Sequence, residues 1–248
     1  MTSYGIIEPK ARLPEIGLFK VPHKGRDLIV GYPPFGRNPY LVNIGKMRQH
    51  FYHSDESPRV SFRPATTAES ISATAFDFPN LAKPKILDKT VLHLGLIVRT
   101  SEGIFANPPR DSQENPITDE SVLKSCLDQC EKVEGIYVST RNDFGFAPYE
   151  SFTRGVQDNG DLAEGGLAKL LEHSEDATNL RQISSKDNYP DGVNVIGYNE
   201  TKKPVLTVSM LDSWGIAHRR LELISCHVDD YWGYAFAILD VPKAHTEN

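Results

Sequence analysis

Cysteine and tryptophan are scarce in this chain, and long apolar runs are missing altogether. Three cysteines, Cys126, Cys130 and Cys226, in 248 residues make an odd count. That count argues against a disulfide framework and for a reducing, cytoplasmic setting. No stretch approaches the roughly 18 apolar residues of a membrane span. Met1 to Leu18 also lacks the apolar core of a secretory signal, so no membrane partner is expected. Neither an internal repeat nor a low-complexity tract is present. Charge of one sign does not dominate either. Residues 1–60 hold nine Lys/Arg against five Asp/Glu, and the remainder holds 18 against 28. The basic residues of the first part are interspersed with Pro, Gly and aromatics rather than blocked. With a net charge of −6, that disfavours nucleic acid as a partner.

What is present is ordinary for a globular protein: 39% hydrophobic and 24% charged residues. The expectation is one globular domain over residues 1–248 with a Pro/Gly-rich N-terminal stretch at 1–42. A weak boundary candidate lies at the polar, proline-rich segment 107–116. Leu18 to Val21 and Asp27 to Tyr32 read as short strands. Gly31 to Tyr40 carries three prolines and reads as an aromatic loop, since proline lacks a donor and restricts its neighbour. Asn43 is placed to cap a short helix running to about Tyr52.

Arg59 to Arg63 alternates as a strand does. Thr66 and Glu69 then have capping-box spacing ahead of a helix to about Phe76. Thr90 to Arg99 and Ile104 to Ala106 flank a compact turn and predict a hairpin. Thr118 is placed to cap a helix whose apolar face holds Leu123, Cys126, Leu127, Cys130 and Val133. Gly135 to Ser139 is a strand. Asp161 and Glu164 resemble a cap for a helix to about His173. Gly165 and Gly166 would weaken that helix unless another backbone approaches closely there, or unless the helix starts after them. Val193 to Gly197, Val205 to Met210, Leu221 to Val228 and Tyr234 to Val241 complete the strands. Mixed elements with hairpin-like neighbours point to an α+β fold. The sheet is expected to be mixed and largely antiparallel, with several short helices packed on it.

The densest group of chemically capable residues lies between the last two strands, which read as a hairpin. His227 and Asp229 fall on one face of an extended strand while Cys226 points the other way. That alternation excludes a Cys–His pair and suits acid–base work by His227 and Asp229. Asp230 and Trp232 complete the crossing as binding candidates. The competing reading makes Asp229 and Asp230 turn formers, with Tyr231 and Trp232 covering the sheet end. A metal would need further ligands, and no matched His/Asp pair elsewhere supplies them, so no metal is assigned.

Arg63, Thr66 and Thr67 bracket the predicted helix start, where free N–H groups favour a phosphate or carboxylate. A Glu69 carboxylate in the capping box would compete for that place. Asp143 opens the triplet Asp143-Phe144-Gly145, which matches the magnesium motif of protein kinases. The glycine-rich loop and the catalytic loop of that family are missing, so the match covers three residues only. What remains is a strand-end loop anchored by Phe144, Phe146 and Tyr149, with Asp143 as a binding candidate. The remaining histidines, His173 and His93 among them, show no diagnostic spacing.

Two readings follow. In one, the chain is an enzyme acting on an anionic small molecule, with Arg63 holding the anion and His227 with Asp229 moving protons. In the other, it is a non-catalytic binding or assembly protein using the Gly31 to Tyr40 segment and the Tyr231/Trp232 turn. The first requires Arg63, Asp143 and His227 to line one cleft. No particular cofactor is implied by either.

Overall fold

Lys24 and Gly25 both adopt positive φ, 48° and 74°, and turn the chain between β1 (Gly17–His23) and β2 (Arg26–Asn38). A two-residue turn of this kind matches the twist of paired strands. The computed structural model describes residues 17–49, 51–54, 57–80, 91–213 and 219–240. Residues 1–16 of the Pro/Gly-rich stretch, His50, His218 and the strand end at Val241 lie outside the described residues. After β2 come α1 (Tyr40–Gln49), β3 (Phe51–Ser54), β4 (Ser57–Pro64), α2 (Thr67–Asn80), β5 (Val91–Arg99) and β6 (Gly103–Ala106). Then follow α3 (Glu120–Cys126), β7 (Cys130–Val133), β8 (Ile136–Ser139), β9 (Gly145–Pro148) and β10 (Gly155–Gln157). The rest is α4 (Asn159–Glu164), α5 (Gly166–Glu172), α6 (Thr178–Ile183), β11 (Val193–Ile196), β12 (Val205–Asp212), β13 (Leu221–His227) and β14 (Gly233–Asp240).

β5 organises the sheet. Its sequence Val-Leu-His-Leu-Gly-Leu-Ile-Val-Arg is buried along almost its whole length, as expected for a strand covered on both faces. On one edge it pairs β12, and beyond β12 lie β13, β11 and β10. Its other edge is shared. The C-terminal half pairs β6, which leads to β9, β8 and β7. The N-terminal half pairs β14, which itself pairs β2 and β4. Among the described residues only β14–β5 and β11–β13 are parallel; every other ladder is antiparallel. The fold is therefore α+β with a mixed, mostly antiparallel sheet. Leu92, Leu94 and Ile97 pack with residues of α2, α4, α5 and α6 in one core. Leu96 packs with Tyr40, Ile44 and Met47 of α1 in a second.

Several local expectations are corrected. The Leu221–Val241 segment is two strands but not a hairpin. β13 takes β11 and β12 on its two edges, and β14 takes β5 on one edge and β2 and β4 on the other. Neither strand has an edge left for the other, so both lie inside the sheet. Gly31–Asn38 is not a loop but the second half of β2. Pro33 and Pro34 fall in the register shift between Ala237↔Gly31 and Ala235↔Phe35, where a missing donor breaks no ladder bond. α1 begins at Tyr40, so Asn43 is inside the helix and fully buried rather than capping it. α3 is capped by Asp119, whose carboxylate accepts from the N–H groups of Ser121 and Val122, and not by Thr118. It ends at Cys126, and Cys130 already belongs to β7. Asp158 caps α4 by accepting from Asp161 N–H. The helix breaks at Gly165, and a Cβ at Gly166 would run into the side chains of Ser151 and Ile136. The close approach that explains the glycine is thus made by side chains.

Tyr198, fully buried, ties this end of the sheet together. Its hydroxyl is 2.5 Å from Ser209 Oγ on β12 and donates to the carbonyl of Ile224 on β13 at 3.3 Å. Tyr198→Phe removes both bonds while keeping the packing. It should lower unfolding free energy by about 1 kcal/mol. Equilibrium denaturation checks this, and an unchanged midpoint would show that the hydroxyl contributes nothing.

Candidate functional site

The start of α2 is built as its local sequence dictates. Glu69 N–H donates to Thr66 Oγ1 at 3.3 Å, and Thr66 N–H donates to Glu69 Oε2 at 3.0 Å. This is a reciprocal capping box. The same carboxylate accepts a two-pronged grip from Arg63, 2.7 Å on each oxygen, and a third guanidinium contact from Arg26 at 3.2 Å. Glu69 is 1% exposed. Burial alone would raise its pKa, but Arg63's bonds and charge and the Thr66 N–H together hold it below the ordinary range. Glu69 thus supplies the anion that Arg63 and the helix start were expected to take from outside.

Asp143 is the hub beside it. Its carboxylate accepts from Thr66 Oγ1 at 2.5 Å and from Lys24 Nζ at 2.9 Å. Lys24 Nζ also donates to His173 Nδ1 at 3.0 Å. Asn107, at φ 49°, fastens the neighbourhood by accepting from Thr67 N–H and donating to Thr67 Oγ1 and to the Asp143 carbonyl. Burial would raise the Asp143 pKa, but the Thr66 bond and the Lys24 charge bring it below its usual value.

Ligand atoms of His23, Glu69 and Asp143 lie within 4.8 Å of one another, and His23 Nε2 is buried without a partner. The donor set would suit a divalent ion, but its charge is already met. Lys24 occupies Asp143, and Arg63 and Arg26 occupy Glu69. A metal would first have to expel an ammonium group. The cluster is an ion network closed on itself.

Next to this network opens a cavity of about 560 Å³. Arg63, Thr66 and Asp143 line one side, so three of the sequence candidates do meet. Phe62, Leu96 and Phe144 supply an apolar lining, and Tyr40, Arg48 and Arg110 close the site. Burial pushes the Tyr40 hydroxyl up to about 12, against the opposing charges of Arg110 and Arg48. The sequence offers Tyr40 only as the end of the Gly31 to Tyr40 aromatic segment and does not mark Arg48 or Arg110. Arg48 and Arg110 lie far apart in the chain, in segments with no motif, so no spacing signals their meeting. Thr67 is fully buried, with its N–H spent on Asn107.

The other candidates lie elsewhere. His227 ends β13, 53% exposed, with Nδ1 at 3.9 Å from Asp229 Oδ2. The pair faces one another as the alternation implied. Cys226 points away, its thiol 3.6 Å from the Met210 sulfur and pushed up to about 12 by burial. Neither His227, Asp229, Asp230 nor Trp232 lines the cavity that holds Arg63 and Asp143.

The crossing 228–232 is instead an exposed feature on fixed supports. Tyr40 N–H donates to the Val228 carbonyl at 3.2 Å, Asn43 Nδ2 to the Gly233 carbonyl at 2.9 Å, and His93 Nε2 to the Tyr231 carbonyl at 3.2 Å. Among the described residues seven large apolar side chains are exposed. Four of them, Leu41, Val42, Tyr231 and Trp232, belong to this crossing and the first turn of α1.

No protein-family model and no curated protein matches the chain. A solved structure from Nanoarchaeota does, at 11% identity over 83% of this chain and 95% of the other, with a TM-score of 0.50. It is described as the accommodation of massive sequence variation by the C-type lectin fold. The likeness is one of fold.

Proposed function

We propose that this chain, built on a C-type lectin-like fold, is a non-catalytic binding protein that engages a protein partner through the crossing 228–232 and the first turn of α1. The observation that carries this is the exposure of Leu41, Val42, Tyr231 and Trp232 on two segments joined by hydrogen bonds, the start of α1 and the crossing, with Trp232 61% exposed. Large apolar side chains exposed in a group mark interaction sites, and tyrosine and tryptophan supply most interface anchors. The three hydrogen bonds beneath the crossing hold it in place before a partner arrives, which lowers the entropic cost of association. The solved structure with this fold is described in terms of massive sequence variation. A core that holds a varying surface is a natural frame for recognition. Acid–base catalysis loses its main support, because the His227–Asp229 pair and the Arg63–Asp143 group do not share a cavity.

The test is differential retention. Immobilised wild-type chain, Trp232→Ala and Val156→Ala are exposed to an extract of the source cells. Val156 is 57% exposed on the edge strand β10, outside the crossing and α1, and serves as the control. Trp232→Ala should weaken retention of the bound protein by at least about tenfold, the loss expected of a central aromatic anchor. Val156→Ala should not. Equal retention by all three would remove the crossing as the contact surface.

A further inference from the structure

The cavity beside α2 is a second site, which shares Tyr40 with the supports of the crossing. Its charges divide into those already satisfied and those that are not. Arg63 is held by Glu69 through both of its terminal nitrogens. Asp143 is held by Lys24 and Thr66. Arg110 spends one nitrogen on the carbonyl of Glu114, and no carboxylate pairs with it or with Arg48 among the described residues. With Arg63 and Asp143 balanced from within, Arg48 and Arg110 face Glu114 alone. One positive charge is left over in the lining.

The two arginines come from separate elements, α1 and the 107–116 loop, and both act on the Tyr40 hydroxyl. Both line the cavity together with Tyr40. Phe62, Leu96, Phe144, Pro108 and Pro109 give the lining an apolar part, beside the polar Thr66, Asn107 and Asn142. A volume of about 560 Å³ is in the range of small-molecule sites. We infer that this cavity binds a small monoanionic carboxylate with an apolar, aromatic-sized body. The carboxylate lies between Arg48, Arg110 and the Tyr40 hydroxyl, and the body rests on Phe62, Leu96 and Phe144. A single excess charge matches one carboxylate better than a doubly charged phosphate. The planar guanidinium offers the paired donors that a carboxylate accepts.

Isothermal titration of the full chain with 3-phenylpropanoate tests the assignment. 3-Phenylpropan-1-ol, acetate and phenyl phosphate serve as comparison ligands. Saturable binding of 3-phenylpropanoate is expected. The alcohol should bind roughly tenfold more weakly or worse, the loss of a hydrogen bond to a charged group. Acetate should also be weaker, because it leaves the apolar lining uncovered. Arg48→Gln and Arg110→Gln should each weaken the acid by about tenfold or more while leaving the alcohol unchanged. Both side chains are exposed, so melting temperatures should stay at the wild-type value. Lack of saturable binding would overturn the proposal. Equal affinity for acid and alcohol, or unchanged acid affinity in both variants, would do the same. Tighter binding of phenyl phosphate would overturn the carboxylate class. Loss of Trp232 should leave this binding intact, which separates it from the contact surface at the crossing.

Discussion

Glu69→Ala should lower the unfolding free energy by about 3 kcal/mol, a large effect for one substitution. Two losses combine. The capping box disappears, leaving Thr66 N–H without its acceptor, a change worth about 1 kcal/mol at a helix start. The two-pronged bond to Arg63 and the contact with Arg26 go as well. Breaking a sealed ion pair costs about 3–5 kcal/mol. Arg63 is 35% exposed and can turn partly into water, so its share is smaller. Denaturant unfolding of wild type and variant gives the number, and a loss below about 1 kcal/mol would show that the network is only decorative. Acidity should have a related effect. The folded-state pKa of Glu69 is depressed, so the stability it contributes is present above its unfolded value of 4.5 and is lost as pH falls through the folded one. Glu69→Gln should flatten that part of the profile.

That junction is also where the sequence was most legible, and the reason is distance along the chain. Thr66 and Glu69 are three residues apart, and a capping box needs nothing beyond them. The same locality explains why the strand before it and the hairpin around Ser101–Gly103 could be read. Pairing across the sheet is a different matter. β14 is as apolar as a buried strand must be, but nothing in its own residues says that β5, β2 and β4, rather than β13, lie beside it. Gly31–Asn38 was misread for the same reason. Its prolines exclude a regular ladder, and only the distant partner β14 supplies the irregular one that tolerates them.

The sites divide along this line too. Arg63, Thr66 and Asp143 each lie at a strand end or helix start, and they meet because β4 leads into α2 and the loop between β8 and β9 brings Asp143 to Thr66. Glu69 could be named from its spacing, including its competition with an outside anion. Arg48 and Arg110 carry no such mark. Their value comes from lining the same cavity with no carboxylate paired to either among the described residues, which depends on every neighbour that is or is not a carboxylate.

His93 should give the chain a second, separate loss of stability on acidification, about 3 kcal/mol between pH 6.5 and pH 4. The ring is 1% exposed on β5, edge-on to Tyr40 with ring centroids 5.6 Å apart. Nε2 carries the proton, since the Tyr231 carbonyl can only accept. Nδ1 is then an acceptor buried with no partner. Protonating it would place a charged N–H where nothing receives it. Burial therefore lowers the pKa from 6.5 to about 4, against the opposing pull of the Tyr231 carbonyl. Because the folded value is depressed, the unfolded chain takes up the proton first. Full stability is present above pH 6.5 and is lost as pH falls towards the folded value. This window lies above that of Glu69, so comparing the wild type with each variant separates the two contributions. His93→Gln can keep an amide donor for Tyr231 but has nothing to titrate. His23, His173 and Glu172 also titrate in this window, so the mark of His93 is the difference between the wild-type and variant profiles, about 3 kcal/mol, and parallel profiles would assign the loss to another group. The effect bears on recognition because His93 is one of the three supports under the crossing. Weakening it in acid should loosen Tyr231 and Trp232 before the helix-covered core, and Trp232 fluorescence should report the change ahead of the far-ultraviolet dichroism.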